Sequence, residues 1–157
     1  MDTELSDTYW MNRAIELAKH AENDNEVPVG AIIVKADSCI GEGWNQSIST
    51  HDPTAHAEII ALRNAAIAMG NYRLPNTTLY VTLEPCLMCI GAIMHARIEQ
   101  LVFGALDDKR GAVCSALNLS DFSFLNHRIE CRQGVEADRC SQILKDFFVS
   151  KRGLKTV

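Results

Sequence analysis

Two short motifs place metal-binding residue types next to a residue type that can move protons. They are His56-Ala57-Glu58 and Pro85-Cys86-Leu87-Met88-Cys89. Each motif is weak alone, because a histidine at a helix start is often structural, and Cys-x-x-Cys also occurs in redox pairs and structural zinc knuckles. The combination is more specific, since each motif follows a turn signal and stands at the predicted start of a helix.

The ligand types and their spacing predict a zinc site that is open to water. Cys86 and Cys89 stand at i and i+3, so one face of a helix can present both. The helix N-terminus stabilises thiolates, and one imidazole with two thiolates suits Zn²⁺. The other cysteines are isolated in the sequence: Cys39, Cys114, Cys131 and Cys140. With no fourth ligand at a matching spacing, the set predicts a catalytic zinc rather than a structural one.

Glu58 is the predicted general acid and base of this site. A zinc-bound water has a pKa of roughly 7, so its proton must be carried to the leaving group. Glu58 lies two residues from His56 and is not needed as a ligand. A glutamate in the first turn of a helix is also favoured by the helix dipole alone. Beside a zinc-bound water, proton transfer is the interpretation that we favour.

Hydrophobic periodicity predicts an alternation of strands and helices that positions these motifs. Helices are predicted at Asp7–Glu22, Thr54–Gly70 (with Thr54 as N-cap), Cys86–Ala96 and Ala137–Val149. Strands are predicted at Val27–Lys35, Cys39–Asn45, Thr78–Leu83, Gln100–Ala105 and Arg128–Cys131, with a polar loop at Gln46–Pro53. The alternation implies βαβ units and an α/β sandwich. Two parallel βα units would bring both motifs to the carboxyl edge of the sheet.

Length and composition predict one globular domain over residues 1–157. The chain is 47% hydrophobic and 22% charged, which excludes a disordered chain. We expect a cytoplasmic protein without a membrane span, since no apolar run is long enough and the N-terminal segment is acidic. The net charge of −5 conceals an excess of basic over acidic residues after residue 91. The basic C-terminal helix and tail, from about 137, permit an anionic ligand, and a solvated helix end is the alternative.

The chain resembles the bacterial tRNA-specific adenosine deaminases, which have a cytidine deaminase-like fold. His-x-Glu with Pro-Cys-x-x-Cys is the zinc deaminase signature. Further segments of the resemblance, which covers about residues 9–149, are Glu26–Ala31, Gly41–Asn45, His51–Glu58, Tyr80–Cys86, Val102–Ala105, Gly111-Ala112 and Leu125-Asn126-His127-Arg128. The chain departs from the family pattern in a loop, at Asp108, Arg110, Val113 and Cys114.

The resemblance implies a fold, a reaction and partners. The fold is a three-layer α/β/α sandwich with a mixed, mostly parallel five-stranded sheet. The reaction is the hydrolytic deamination of adenosine to inosine at the wobble position of a tRNA anticodon, in an arginine tRNA. It requires one Zn²⁺ per subunit, held by His56, Cys86 and Cys89. The partners are the tRNA anticodon stem-loop and a second copy of the chain, in a homodimer.

The resemblance also assigns substrate-binding residues. Asn45 and the Ala57 backbone N–H are expected to hydrogen-bond the base, with Val27, Pro28 and Leu83 as apolar walls. For these residues, a turn role and core packing are the alternatives. Residues expected to hold the RNA are Lys109, Arg110, His127, Arg128, Phe147, Phe148, Lys151 and Arg152. Asp107 is expected to bind a ribose 2′-hydroxyl, with an Asx turn as the alternative.

Two other functions fit parts of this pattern. Guanine deaminases share His-Ala-Glu and Pro-Cys-x-x-Cys, although they do not usually carry Trp44-Asn45 or the Asn126-His127-Arg128 segment. A structural zinc module that binds RNA or protein without catalysis is the alternative from a different class. Ammonia release from a panel of substrates separates the three functions.

Overall fold

A computed structural model describes residues 5–125 and 127–155 of the chain. Asn126, in one of the resembling segments, lies outside the described residues. The helices are α1 (Asp7–Asn23), α2 (Ser47–Thr50), α3 (Ala57–Met69), α4 (Leu87–His95) and α5 (Ala137–Lys155). The strands are β1 (Gly30–Lys35), β2 (Ser38–Trp44), β3 (Thr78–Leu83), β4 (Gln100–Ala105) and β5 (Glu130–Arg132). Among the described residues, no helix combines the length and the apolar character needed to cross a bilayer.

The five strands form one mixed sheet in the order β2-β1-β3-β4-β5. Strand β1 is antiparallel to both neighbours, and the β3–β4 and β4–β5 pairs are parallel. The expectation of a mixed five-stranded sheet is confirmed, but only half of its pairings are parallel. The reason is a hairpin at Ala36-Asp37, where φ angles of 49° and 60° form a two-residue turn that returns the chain beside β1.

Helices cover both faces of this sheet, which confirms the three-layer arrangement. On one face, α3 and α4 bury residues such as Ala61 and Ile93 against Ile33, Leu79 and Phe103. On the other face, α1 and α5 pack against alternate residues of the same strands: the apolar set there is Trp10, Met11, Ile15, Ile32, Val34, Tyr80, Val102 and Cys140. The alternation follows from the period of two in a strand.

The backbone of α3 lies directly on β2, because glycine occupies the two strand positions beneath it. A Cβ atom built on Gly43 would lie 2.6 Å from the Ala57 carbonyl oxygen, and one on Gly41 would lie 2.6 Å from that of Ala61. No side chain fits between strand and helix at these points. The first turn of α3 therefore has a fixed height above the sheet.

Both helices that carry the motifs begin at one edge of the sheet. Strands β2 and β3 are each antiparallel to β1, so they run in the same direction although they are not neighbours. Helix α3 follows β2 after a connection of residues 45–56 that includes α2, and α4 follows β3 after residues 84–86. The expected convergence of the two motifs at the carboxyl edge thus arises across an intervening strand.

Several element boundaries differ from the predictions. Helix α3 begins at Ala57 with His56 as N-cap, and the predicted N-cap Thr54 instead donates its N–H and hydroxyl to Asp52 Oδ1, at 2.8 and 2.7 Å. The predicted Gln46–Pro53 loop contains α2. Residues 27–29 precede β1, the last strand is shifted to Glu130–Arg132, and α5 extends beyond Val149.

Candidate active site

His56 and Cys86 occupy equivalent positions at the starts of two helices. Both are N-cap residues with extended backbones, His56 for α3 and Cys86 for α4. Cys89 follows in the first turn of α4. The His56 Nδ1 atom lies 3.7 Å from Cys86 Sγ and 3.5 Å from Cys89 Sγ. The three ligand atoms all lie within 4.8 Å of one another, so one ion can bind to all three.

The chemistry of these donors fits zinc. A hydrogen bond from the Cys89 thiol, opposed by desolvation and aided by His56, holds the pKa of Cys86 well below its usual value. A thiolate ligand is therefore available at neutral pH. The same hydrogen bond and burial raise the pKa of Cys89, and a bound zinc ion would displace that proton. One imidazole and two thiolates match the ligand set of a catalytic zinc site.

Glu58 lies in the first turn of α3, close to the metal ligands, and only 4% of its surface is exposed. Burial raises the pKa of Glu58 to about 7. A carboxyl group with this pKa exchanges its proton readily near neutral pH, as a general acid and base must. These properties agree with the role predicted from its spacing to His56.

Asn45 and Ala57 contact each other directly. The Asn45 Oδ1 atom accepts a hydrogen bond of 2.8 Å from the Ala57 N–H, the first backbone donor of α3. The Ala57 N–H that was predicted to face the base is thus already donated to a side chain. The Asn45 Oδ1 atom is therefore occupied, and the Nδ2 group remains as the donor that this side chain can offer to a ligand.

The predicted apolar walls come from two segments at the same sheet edge. Val27 and Leu83 are half-buried and pack against the core that includes Ala57 and Ile90. Pro28 is buried just before β1. Core packing, the alternative for these residues, therefore accounts for at least part of their burial.

The loop after β4 carries Asp107, Lys109 and Arg110. The Asp107 Oδ1 atom accepts hydrogen bonds from the backbone N–H groups of Lys109 (3.2 Å) and Arg110 (3.1 Å), which forms the alternative Asx turn. Both basic side chains are exposed. The loop is joined to the metal-binding segment, because the Ala112 N–H donates to the Pro85 carbonyl oxygen at 2.8 Å.

The other predicted RNA-binding residues are dispersed. His127 is half-buried and its Nε2 lies 2.8 Å from the Ile98 carbonyl oxygen, whereas Arg128 is exposed. Phe147 is only 7% exposed, which leaves no ring face for a base, while Phe148 is 46% exposed. This split is a matter of helix geometry, because adjacent residues of α5 point in different directions.

The basic end of α5 reaches the segment that precedes β1. Lys151 Nζ donates a 3.0 Å hydrogen bond to Asn25 Oδ1 and lies 5.3 Å from the centroid of the Phe147 ring. Arg152 is exposed. Lys151 thus links the end of α5, through this hydrogen bond, to the chain segment that leads to Val27 and Pro28.

Two buried carboxylates that were not predicted from the sequence hold the loops around the site. Glu26 accepts hydrogen bonds from the N–H groups of Ile48 (3.2 Å) and Ser49 (2.7 Å) of α2, which precedes α3. Glu84 accepts hydrogen bonds from several residues of the loop after β4. Burial opposes ionisation of Glu84, but bonds from Cys114 and Ser115 outweigh it and lower its pKa. Only the presence of an acid at the end of an apolar strand could have signalled Glu84.

This fold and this site together define a zinc-dependent deaminase. A family profile described as the cytidine and deoxycytidylate deaminase zinc-binding region matches residues 5–105. A tRNA-specific adenosine deaminase of Haemophilus influenzae is 55% identical over 152 residues, which cover 96% of this chain and 88% of that protein. The chain belongs to the tRNA-specific adenosine deaminase family.

Solved structures agree with this membership. One, from a study of A-to-I editing by tRNA:A34 deaminases at the wobble position of transfer RNA, is 40% identical with a TM-score of 0.85 and covers 87% of this chain and 99% of its own. A guanine deaminase from Bacillus subtilis is 39% identical with a TM-score of 0.62, over 65% of this chain and 66% of its own. The similarity to the guanine deaminase thus extends over less of either chain.

Proposed function

We propose that this protein deaminates adenosine to inosine at the wobble position of a tRNA anticodon, with an arginine tRNA as substrate. The observation that carries the proposal is the joint placement of His56, Cys86 and Cys89 beside the buried Glu58. The proposal is also supported by a relative named as a tRNA-specific adenosine deaminase, whose similarity covers 96% of this chain and 88% of that protein. We place the enzyme in the cytoplasm, where its tRNA substrate is found, and assign residues 1–157 to one deaminase domain.

The proposed mechanism depends on Glu58 as a proton carrier. His56, Cys86 and Cys89 would hold a zinc ion. Its Lewis acidity would lower the pKa of a water to roughly 7 and so prepare that water to attack C6 of adenine. Glu58 accepts the proton of this water and delivers it to N1 of the base. The carboxyl group then assists protonation of the departing amino group. Water and adenosine are converted to inosine and ammonia, and Glu58 returns to its initial state.

Asn45 orients the base beside this proton carrier. Its Oδ1 atom is held by the Ala57 N–H, so the Nδ2 group is directed to an acceptor on the purine edge. Val27 and Leu83, which are half-buried, supply apolar contact to the base. An apolar surface with one fixed donor selects a flat heterocycle in one orientation.

The RNA must expose its adenosine, because an enzyme cannot reach C6 of a stacked base. The proposed RNA contacts are the exposed basic residues Lys109, Arg110, Arg128 and Arg152, together with His127, Phe148 and Lys151. These cations can bind the phosphates of an anticodon stem-loop although the protein is acidic overall. Phosphate contacts position the RNA, whereas the site selects the base.

A homodimer is part of the proposal, and the first turns of α4 support it. Leu87 and Met88 are exposed, and a Cβ atom on Gly91 would meet no neighbouring atom within 4 Å. These residues lie next to the zinc ligands and form an apolar strip on which a second copy can pack closely. A Met88→Glu variant should dissociate to a monomer in sedimentation velocity, whereas a dimer of unchanged stability would contradict this interface.

A substrate panel tests the function directly. Ammonia release is measured with the zinc-loaded protein on an arginine tRNA anticodon stem-loop, the same stem-loop with guanosine at the wobble position, free guanine and cytidine. We expect release from the adenosine stem-loop alone, and none with Glu58→Gln. Release from guanine but not from RNA would establish a guanine deaminase, and release from none would favour the non-catalytic zinc module.

A further inference from the structure

Glu84 is a buried carboxylate at the end of β3, two residues before the zinc ligand Cys86. Only 2% of its surface is exposed. The described residues include no basic side chain within salt-bridge distance of it. Its charge is instead compensated by N–H groups and one hydroxyl of a single loop. A buried carboxylate without such donors would be strongly destabilising.

The loop donors divide between the two carboxylate oxygens. Oε2 accepts N–H groups from Val113 (3.1 Å), Cys114 (2.9 Å) and Ser115 (3.0 Å). Oε1 accepts the Asp107 N–H at 3.1 Å and the Ser115 hydroxyl. One side chain thus binds both the beginning and the end of the segment 107–115.

Gly111 closes the loop around the same carboxylate. A Cβ atom built on Gly111 would lie 2.2 Å from the carboxyl carbon of Glu84, which is too close for any side chain. The Gly111 N–H also donates to the Asp107 carbonyl oxygen at 2.8 Å. The loop is therefore wrapped around the carboxylate rather than placed beside it.

This arrangement connects the loop to the metal-binding segment. The Glu84 N–H donates to the Ala105 carbonyl oxygen at 2.8 Å. The carbonyl oxygen of the next residue, Pro85, accepts a hydrogen bond from the Ala112 N–H at 2.8 Å. A shift of the loop relative to Cys86 would break these bonds together. Asp107, Lys109 and Arg110 are carried by the part of the loop that only Oε1 holds.

We propose that Glu84 is a positioning residue for RNA binding, which fixes the 107–115 loop and its basic side chains at a set distance from the metal ligands. The inference rests on the proposed function, because it assigns RNA contacts to that loop. Glu84 itself touches neither substrate nor metal. It acts through Lys109 and Arg110, whose reach toward the phosphates depends on the loop backbone.

The two oxygens make a glutamine substitution informative. In Glu84→Gln, the amide oxygen can occupy the Oε2 position and keep three N–H bonds, while the NH₂ group then faces the Asp107 N–H. Two donors cannot bond to each other, so the first half of the loop is released and the second half stays bound. Residues 107–110 should exchange their amide hydrogens faster, and residues 113–115 should not.

Gly111→Ala tests the same loop without changing Glu84 or the segment next to Cys86. Its methyl group must push the loop away from the carboxylate. Ser115→Ala is the matched control, since it removes one hydroxyl and keeps all four N–H bonds. Each zinc-loaded variant is compared with the parent for zinc content, amide exchange, and the Kd, KM and kcat for the adenosine stem-loop.

For Glu84→Gln and Gly111→Ala, we expect one zinc per chain, a kcat within about threefold of the parent, and Kd and KM raised about tenfold, the effect of roughly 1.4 kcal/mol of lost contacts. Ser115→Ala should stay within about threefold of the parent, since neutral hydrogen bonds contribute little net. If Glu84→Gln does not fold, Gly111→Ala decides the question.

Two results would overturn the inference. One is faster loop exchange with unchanged Kd and KM, which would make the loop irrelevant to RNA. The other is loss of zinc or of kcat at unchanged KM, which would assign Glu84 to the metal site. The Kd is measured independently of turnover, so a parent that binds the stem-loop but releases no ammonia refutes the proposed function and leaves the test of Glu84 intact.

Discussion

The side chain of Asn45 caps the first N–H of helix α3 from outside the helix: its Oδ1 atom lies 2.8 Å from the Ala57 nitrogen. His56, the N-cap residue, makes no side-chain capping bond, so its ring is free for the metal. Asn45, which directly follows β2, thus supplies the capping bond that the His56 side chain does not make. The capping bond also fixes which end of the Asn45 amide faces the base.

The polarity of Asn45 can be tested by changing only the group that faces the base. Asn45→Asp keeps an acceptor for the Ala57 N–H but replaces the Nδ2 donor with an acceptor. We expect normal zinc content and a kcat/KM that is lower by about tenfold to a hundredfold, the cost of one mispaired polar group. Asn45→Ala should in addition lower the melting temperature, because it leaves Ala57 unpaired. Equal activity of Asn45→Asp and the parent would exclude a donor role.

Zinc binding and proton transfer should be separable by substitution. His56→Ala and Cys86→Ala each remove one of three ligands, so zinc content and activity should be lost together. Glu58→Gln should keep one zinc per chain and lose about 10²–10⁴-fold in kcat, the usual contribution of a general acid and base. Zinc is measured by atomic emission and turnover by ammonia release. A Glu58→Gln protein with near-normal kcat would remove Glu58 from the mechanism.

Asp107 offers a test of how RNA is distinguished from DNA. Asp107→Asn keeps the Oδ1 acceptor for the Lys109 and Arg110 N–H groups, so the Asx turn should persist. The variant loses the negative charge that would bind a ribose 2′-hydroxyl, and it no longer repels the phosphates. We expect the ratio of RNA to DNA deamination, measured on matched stem-loops, to fall about tenfold. An unchanged ratio would leave Asp107 with the turn as its role.

The end of α5 should contribute to RNA binding mainly through Arg152. Lys151 is bound to Asn25, whereas Arg152 is exposed. Charge reversal at both positions should raise KM and reduce the slope of log KM against log salt by about 0.7 for each lost phosphate contact. We expect Arg152→Glu alone to give most of this change, and Lys151→Met to lower the melting temperature instead. A salt slope that no variant alters would make this helix end a solvated surface only.

The start of α1 is held by an acid-sensitive ion pair. Asp7 accepts from Arg132 Nε at 2.9 Å and from the Tyr80 hydroxyl at 2.8 Å, and the Arg132 bond, opposed by burial, lowers the pKa of Asp7. A depressed carboxyl pKa stabilises the fold above the ordinary value near 3.8 and ceases to do so as the pH falls through the lower folded value.

Asp7→Asn should therefore lower the melting temperature at pH 7 by about 2–4 °C, as expected for a partly exposed pair worth up to about 1 kcal/mol. The difference from the parent should shrink as the pH is lowered from about 5 to 2.5, because the parent loses the same interaction. Calorimetry of both proteins across this range makes the measurement. A difference that does not depend on pH would mean that Asp7 acts through packing rather than charge.

The local parts of the fold were predictable because their signals are local. β3 and β4 have the predicted bounds. In β3, four of the six residues (Thr78, Tyr80, Val81 and Thr82) are β-branched or aromatic, types that favour strands. The predicted start of α3 was wrong because Asp52, two residues earlier, takes the capping groups of Thr54. The direction of β1 against β3 depends on long-range pairing, which no local pattern encodes.

The same distinction applies to the site. His56, Glu58, Cys86 and Cys89 could be predicted as site residues because they are concentrated in two short motifs, and the structure brings the three predicted metal ligands together. Glu84 was missed because its partners lie 23–31 residues further along the chain and, apart from the Ser115 hydroxyl, are backbone N–H groups. The contact between Asn45 and Ala57 was missed for the same reason: a backbone donor leaves no trace in the residue type.

Gly41 and Gly43 of β2 determine where Glu58 and His56 lie relative to the other two metal ligands. A Cβ atom on either glycine would collide with the backbone of α3, so the height of Glu58 and His56 above the sheet depends on the absence of these two methyl groups. Cys86 and Cys89 belong to another helix, which does not rest on those glycines. Alanine at position 43 would shift Glu58 and His56 relative to Cys86 and Cys89, and so would slow the reaction although every reacting residue is still present.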